Sequence, residues 1–181
     1  MKLGVLKEPE GETRVAIVPT SLKKLQKAGF EVVIESGAGV SANYHDNEYE
    51  AAGATVGSRE DALACETIIT IRFPGVAGIK EGTNLACVSD PFRNPQFVKD
   101  CLASNITLLS MDMIPRRLSR AQSMDVNSSQ DNLAGYKAVL LGAAHVPKGI
   151  PMMTTSAGTV PVSYTHLRAH ETREDRGCRG R

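Results

Sequence analysis

From residue 2 to residue 110, short apolar runs alternate with amphipathic stretches. KLGVL (2–6), EVVIE (31–35), TIITIRF (67–73), NLACV (84–88) and ITLLS (106–110) read as strands. Several are apolar at successive positions, the pattern of strands covered on both faces. Between them, TSLKKLQKA (20–28) sets Leu22, Leu25 and Ala28 on one helical face, and Gly29 stops it. Asn94 and Pro95 open a second helix, with Phe97, Val98, Cys101 and Leu102 at helical spacing. Shorter helices are expected at 46–52 and 59–64. Repeated βα units predict an α/β fold with a doubly wound, mostly parallel sheet of the flavodoxin-like kind.

After the last strand the rhythm changes. Residues 111–124 have no clean period, and 128–144 read as one long helix with Leu133, Tyr136, Leu140 and Ala144 on a face. A helix that leaves a finished βα set in this way connects to a second lobe, with 145–161 as the crossing. The expected organisation is therefore an α/β lobe over 1–127, an interdomain helix and crossing over 128–161, and a tail over 162–181. That tail has no helical or strand face and few core residues, so it cannot offset its own ordering entropy. It resembles translated sequencing-adapter read-through and is expected to be non-native.

Composition adds limits rather than a class. With 41% hydrophobic and 23% charged residues the chain is neither disordered nor a disulfide scaffold. Its longest apolar run, 138–144, is far short of a bilayer span, and the first residues read as a strand rather than a secretion signal. Direct membrane insertion is therefore not expected. The net charge of +1 hides a basic tail with Arg168, Arg173, Arg176, Arg179 and Arg181, and the body without it is slightly acidic. Nucleic acid is thus not an expected partner. Cys65, Cys87, Cys101 and Cys178 form no Cys-x-x-Cys pair and no metal spacing, so they read as reduced thiols of a cytosolic protein, with no metal.

Three stretches carry candidate chemistry. GAGVSA (37–42) matches the G-x-G-x-x-A fingerprint after a strand, but the polar NYHD that follows favours tight-turn glycines over a pyrophosphate loop. The first strand runs into KEPEGETRVA (7–16), where Arg14 either clamps an anion in a bidentate fork or pairs with Glu8, Glu10 or Glu12. The most informative stretch is IPRRLSRAQSMDVNSSQDN (114–132). It gathers Arg117, Ser119, Arg120, Gln122, Ser123 and Asp125 ahead of the long helix, where they present donors to a ribose or phosphate or merely line a solvated connection with Ser128 as helix cap.

KEPEGETRVAIVPTSLKKLQKAGFEVVIESGAG, RAQSMDVNSSQDNLAGYKAV and PMMTTSAGTVP resemble the proton-translocating NAD(P) transhydrogenase alpha subunit over residues 1–161. The opening is shared with alanine dehydrogenase, while RAQSMD with SSQxNxAGY is particular to transhydrogenase. Two departures separate the chain from alanine dehydrogenase: Thr70 stands where that family has a lysine, and Asp90 where it has a histidine.

The resemblance implies an NAD(H)-binding subunit that passes hydride to NADP on a partner domain, coupled to proton movement through a membrane subunit. It places Gln122 on the nicotinamide ribose and has Arg117 and Asp125 shape the mobile loop. Leu118, Ser119, Arg120 and Ser128 complete the cofactor-binding set. The implied partners are the membrane and NADP-binding subunits, with the full alpha subunit a homodimer, cytoplasmic and peripheral to the inner membrane. An extra Arg116 beside Pro115 leaves the loop's register open by one residue. After TVP the family continues into a Rossmann lobe with the Gly-rich fingerprint, absent here, so this fragment is expected to be inactive alone. The alternatives are an alanine dehydrogenase-like 2-amino-acid dehydrogenase and a non-catalytic lobe acting in subunit association.

Overall fold

The computed structural model describes residues 1–115, 117–146, 153–156 and 158–160. The expected read-through tail, Cys178 and most of the crossing segment lie outside the described residues. The chain forms two compact units, Met1–Pro115 and Arg116–Arg181.

The first unit is a six-stranded, wholly parallel sheet in the order β3-β2-β1-β4-β5-β6. Its strands are β1 (Lys2–Val5), β2 (Glu31–Glu35), β3 (Thr55–Gly57), β4 (Thr67–Arg72), β5 (Asn84–Val88) and β6 (Thr107–Ser110). The helices are α1 (Pro19–Lys27), α2 (Asp46–Ala51), α3 (Arg59–Leu63) and α4 (Pro95–Ala103). Five strands and all four helices stand where the hydrophobic rhythm puts them, within a residue or two at their ends. Those five strands alone run 2-1-3-4-5, the flavodoxin-like order. The sixth, β3, was not expected: Thr-Val-Gly is too short to show a period, and it exists because β2 offers it a partner.

Alternating residues of the strands serve two cores, one on each face. Leu3, Val5, Val32 and Ile34 pack with Leu22 of α1 and Tyr49 of α2. Leu6, Ile68, Leu85 and Cys87 pack with Ala62 of α3 and Phe97 and Cys101 of α4. Gly4 lies between Leu3 and Val5 in β1, and a Cβ there would stand 2.1 Å from the Ala62 carbonyl oxygen, so α3 rests directly on the backbone of β1. One expectation for α4 is corrected. Val98 and Leu102 are exposed, because seating Phe97 and Cys101, one turn apart, on the sheet leaves the next residue of each, about 100° further round the helix, facing away from it. Cys65, Cys87 and Cys101 are free and buried.

The second unit contains α5 (Val126–His145) and an antiparallel hairpin of β7 (Met153–Thr155) and β8 (Gly158–Val160). The helix starts two residues before the expected 128, because Asp125 rather than Ser128 caps it. The expected apolar face is exposed: Leu133, Tyr136 and Leu140 are 61%, 67% and 47% accessible, and Gly135 is buried. No described helix is long and apolar enough to cross a membrane.

Candidate functional site

The chain reverses direction across the sheet between β1 and β4, and such a switch point leaves a crevice at the carboxyl ends of the strands. Here a cleft of about 250 Å³ opens there, lined by Lys7, Glu8 and Pro9 after β1, Glu35 at the end of β2, Arg59 at the start of α3, and Thr70, Arg72, Phe73 and Pro74 at the end of β4. Two carboxylates tie its walls together. Glu8 accepts the backbone N–H groups of Ile71 (2.6 Å) and Arg72 (3.0 Å), where the pairing of β4 with β5 shifts register. Burial still raises its pKa, outweighing those two bonds. Glu35 accepts the Lys7 N–H (2.8 Å) and a guanidinium N–H of Arg59 (2.9 Å).

Glu12 decides between the two readings of Arg14. Its carboxylate accepts Arg14 Nε (2.7 Å) and Nη2 (2.6 Å) as a fork, and Arg72 Nε at 3.1 Å. The Arg14 guanidinium holds the Glu12 carboxyl down at about 2. Arg14 is thus engaged within the chain, as the ion-pair reading has it. The cleft does hold a cation beside Thr70, namely Arg72, while the Thr70 hydroxyl donates to the Arg72 carbonyl (2.7 Å).

Asp90, which replaces the histidine, follows β5 with a left-handed φ of 42°. Asp112 sets that bend by accepting the N–H groups of Ser89 (3.1 Å) and Asp90 (3.0 Å) and the Ser110 hydroxyl (2.8 Å). The Asp90 carboxylate faces Arg93 at 3.7 Å. Sequence reasoning missed the bracing roles of Glu8 and Asp112. Both carboxylates act on residues remote in the chain or on backbone amides, which carry no spacing signature.

The glycines at 37–39 are turn and packing glycines. The Gly37 N–H, at φ 75°, points to the Asp46 carboxylate (3.0 Å), which occupies the place a phosphate would need. A Cβ on Gly39 would stand 2.7 Å from the Tyr49 ring. A 3-10 turn, Val40–Ala42, follows in place of a fingerprint helix.

In the second unit, residues 118–125 form consecutive hydrogen-bonded turns rather than irregular backbone. The Ala121 N–H donates to the Leu118 carbonyl (2.9 Å), Met124 to Ala121 (2.9 Å), and Asp125 to Gln122 (3.3 Å). Ala121 is buried, while Arg117, Leu118, Ser119, Arg120 and Gln122 are exposed. Asp125 Oδ1 accepts the Ser128 N–H (3.0 Å) and Oδ2 accepts its hydroxyl (2.6 Å). The turns therefore bring Arg117, Arg120, Gln122, Asp125 and Ser128 into one short segment.

This architecture has known relatives. Residues 4–134 match the family described as alanine dehydrogenase/PNT, N-terminal domain. The chain is 45% identical over 172 residues to the first part of the NAD(P) transhydrogenase alpha subunit of Rhodospirillum rubrum, a match covering 89% of this chain and 44% of that protein. Against the alanine dehydrogenase of Methanococcus maripaludis identity is 31%, over 82% of this chain and 40% of the relative. Among solved structures, the transhydrogenase from Sinorhizobium meliloti superposes with a TM-score of 0.83 at 41% identity, covering 90% of this chain and 50% of that one. The chain thus spans less than half the length of these curated relatives. With its parallel sheet, its braced β1 exit and its turn segment ahead of α5, the chain belongs to the alanine dehydrogenase/PNT N-terminal domain family and is similar to transhydrogenase alpha subunits.

Proposed function

We propose that this chain is the first lobe of the NAD(H)-binding alpha subunit of a proton-translocating transhydrogenase, in which hydride passes between NADH and NADP held by a partner subunit. The observation that carries the reading is the segment 117–128. Its turns leave the donor side chains of Arg117, Arg120 and Gln122 exposed in a chain 45% identical to a transhydrogenase alpha subunit. Gln122 hydrogen-bonds the nicotinamide ribose, and Arg117 and Asp125 shape the segment. Leu118, Ser119, Arg120 and Ser128 border the same place. The bound dinucleotide supplies the hydride, and these residues act by positioning rather than by taking a proton.

The donors present fit a ribose and its neighbouring phosphate oxygen. Among the described residues no glycine-rich turn opens a helix toward a pyrophosphate, since Gly37 is satisfied by Asp46. Taken by itself, this stretch therefore binds NADH weakly and transfers no hydride. In the complete subunit, which is a homodimer, the reading adds a Rossmann lobe, partner subunits bearing the membrane channel and NADP, and a cytoplasmic, membrane-peripheral position. Calorimetric titration of the 181-residue chain with NADH is expected to give no binding tighter than about 1 mM, and micromolar affinity overturns the weak-binding claim. In the full-length gene product reconstituted with its NADP-binding partner, Gln122→Asn is expected to slow hydride transfer by about 100-fold.

A second reading draws on Arg72, the cation that lines the cleft beside Thr70. An amino-acid dehydrogenase would need Arg14 to leave Glu12 and grip a carboxylate. Pyruvate-dependent NADH oxidation by the full-length product would favour it. A third, a lobe serving only association, draws on the exposed face of α5. Nucleotide-independent assembly with a membrane partner would be its mark.

A further inference from the structure

We propose that the cleft at the switch point between β1 and β4 is a site for a tetrahedral phosphate group, carried by a small monoester or free in solution. Three cations from three elements line it: Lys7 after β1, Arg59 at the start of α3 and Arg72 at the end of β4. Against them stand two carboxylates, Glu8 and Glu35, so the lining keeps a positive charge. Both acids also turn oxygens to the protein rather than to the cleft. Glu8 spends both on the N–H groups of Ile71 and Arg72, and one oxygen of Glu35 accepts the Lys7 N–H and Arg59 Nη1.

The cations are held in place with donors to spare. Glu35 fixes Arg59 through Nη1 (2.9 Å), and Glu12 fixes Arg72 through Nε (3.1 Å). Lys7 Nζ reaches the turn after β2, where it lies 3.9 Å from the point a Cβ on Gly37 would occupy. Among the described residues no acceptor meets Lys7 Nζ, Arg59 Nη2 or either Nη of Arg72. Guanidinium groups with unspent N–H donors match the oxygens of an oxyanion as a fork.

Donors converging from three elements call for oxygens that point in three directions. A phosphate group supplies them, whereas a carboxylate offers two oxygens in one plane. The cleft volume of about 250 Å³ lies below that of drug-sized sites, roughly 300–1,000 Å³, and takes a phosphate with a few carbon atoms. Phe73 and Pro74 give those carbons an apolar wall. Arg14, clamped by Glu12, is not in the lining, so this site differs from one in which Arg14 grips a carboxylate.

The test follows amide NMR shifts of the 181-residue chain as inorganic phosphate, glycerol phosphate or pyruvate is added at constant ionic strength. Phosphate is expected to shift the amides of Lys7, Arg59, Arg72 and Phe73 with a Kd of about 1 mM, and glycerol phosphate to bind at least as tightly. Lys7→Gln and Arg59→Gln are each expected to weaken binding about 5-fold. Because Lys7 Nζ has no partner among the described residues, Lys7→Gln leaves the fold intact, which an unchanged thermal midpoint in chloride verifies.

Absence of saturation below about 20 mM phosphate overturns the proposal. An unchanged Kd in both variants does so too, since it puts the anion elsewhere. Pyruvate shifting the same amides as strongly as phosphate also overturns it, because the cleft would then be a carboxylate site. Binding of phosphate without glycerol phosphate upholds the site and assigns it to the free anion.

Discussion

At the exit of β1 the carboxylate of Glu12 gathers two guanidinium groups with its side chain only 8% accessible, and its ionisation is coupled to folding. The free carboxyl value of 4.5 falls to about 2 in the folded chain, first through the Arg14 hydrogen bonds. A depressed carboxylate contributes stability above its unfolded pKa and loses it as pH drops through the folded one. Glu12→Gln is therefore expected to cost about 2 kcal/mol at pH 7, and the gap to wild type should narrow between pH 4.5 and about 2, as read by urea unfolding at each pH. A constant gap would show that Glu12 matters by packing alone. Tyr49 offers a neutral counterpart, since its buried hydroxyl donates to the Ile17 carbonyl at 3.0 Å. Tyr49→Phe should cost about 1–2 kcal/mol without a pH dependence below about pH 8. The sequence left Arg14 between two roles because an i,i+2 spacing in a loop does not say which way either side chain turns. Only the approach of β4, bringing Arg72 to the same carboxylate, decides it.

Among the elements, α3 and β1 meet through a missing side chain. Because Gly4 lies under the Ala62 carbonyl, Gly4→Val is expected to lower stability by about 3 kcal/mol, seen as a fall in thermal midpoint, although valine is the better strand former. An unchanged midpoint would mean that α3 can move off the strand at little cost. Element positions were legible wherever an apolar period ran for four or more residues, as in β2 and β5, whose limits match the expected ones. The three-residue β3 was invisible for lack of a period. Residues 111–124 show no clean period, and the turns over 118–125 are invisible there, because their bonds are backbone to backbone and leave little trace in residue type. In α4 the helix was legible but its buried face was not, since Phe97, Val98, Cys101 and Leu102 fit two adjacent faces and the sheet accepts one.

For the molecule as a whole, the two cores of the first unit bury residues from every strand except the edge strands β3 and β6, whereas α5 shows its leucines to solvent. Leu140→Lys is accordingly expected to change the unfolding free energy of this chain by less than about 0.5 kcal/mol, against about 3 kcal/mol for Ile68→Ala in the second core. A large loss at Leu140 in chemical denaturation would place a partner on that face within the chain itself. The sequence alone determined the alternation of strands and helices, the parallel sense of the sheet and the family, because hydrophobic period and motif spacing are local properties of the chain. The tertiary structure alone decided that Arg14 answers to Glu12, that Asp46 fills the glycine turn, that Asp112 bends Asp90 and that Asp125 caps α5. Each of those outcomes turns on which charged or polar group reaches a carboxylate or an amide first, and that is set by how the backbone folds back on itself rather than by residue type.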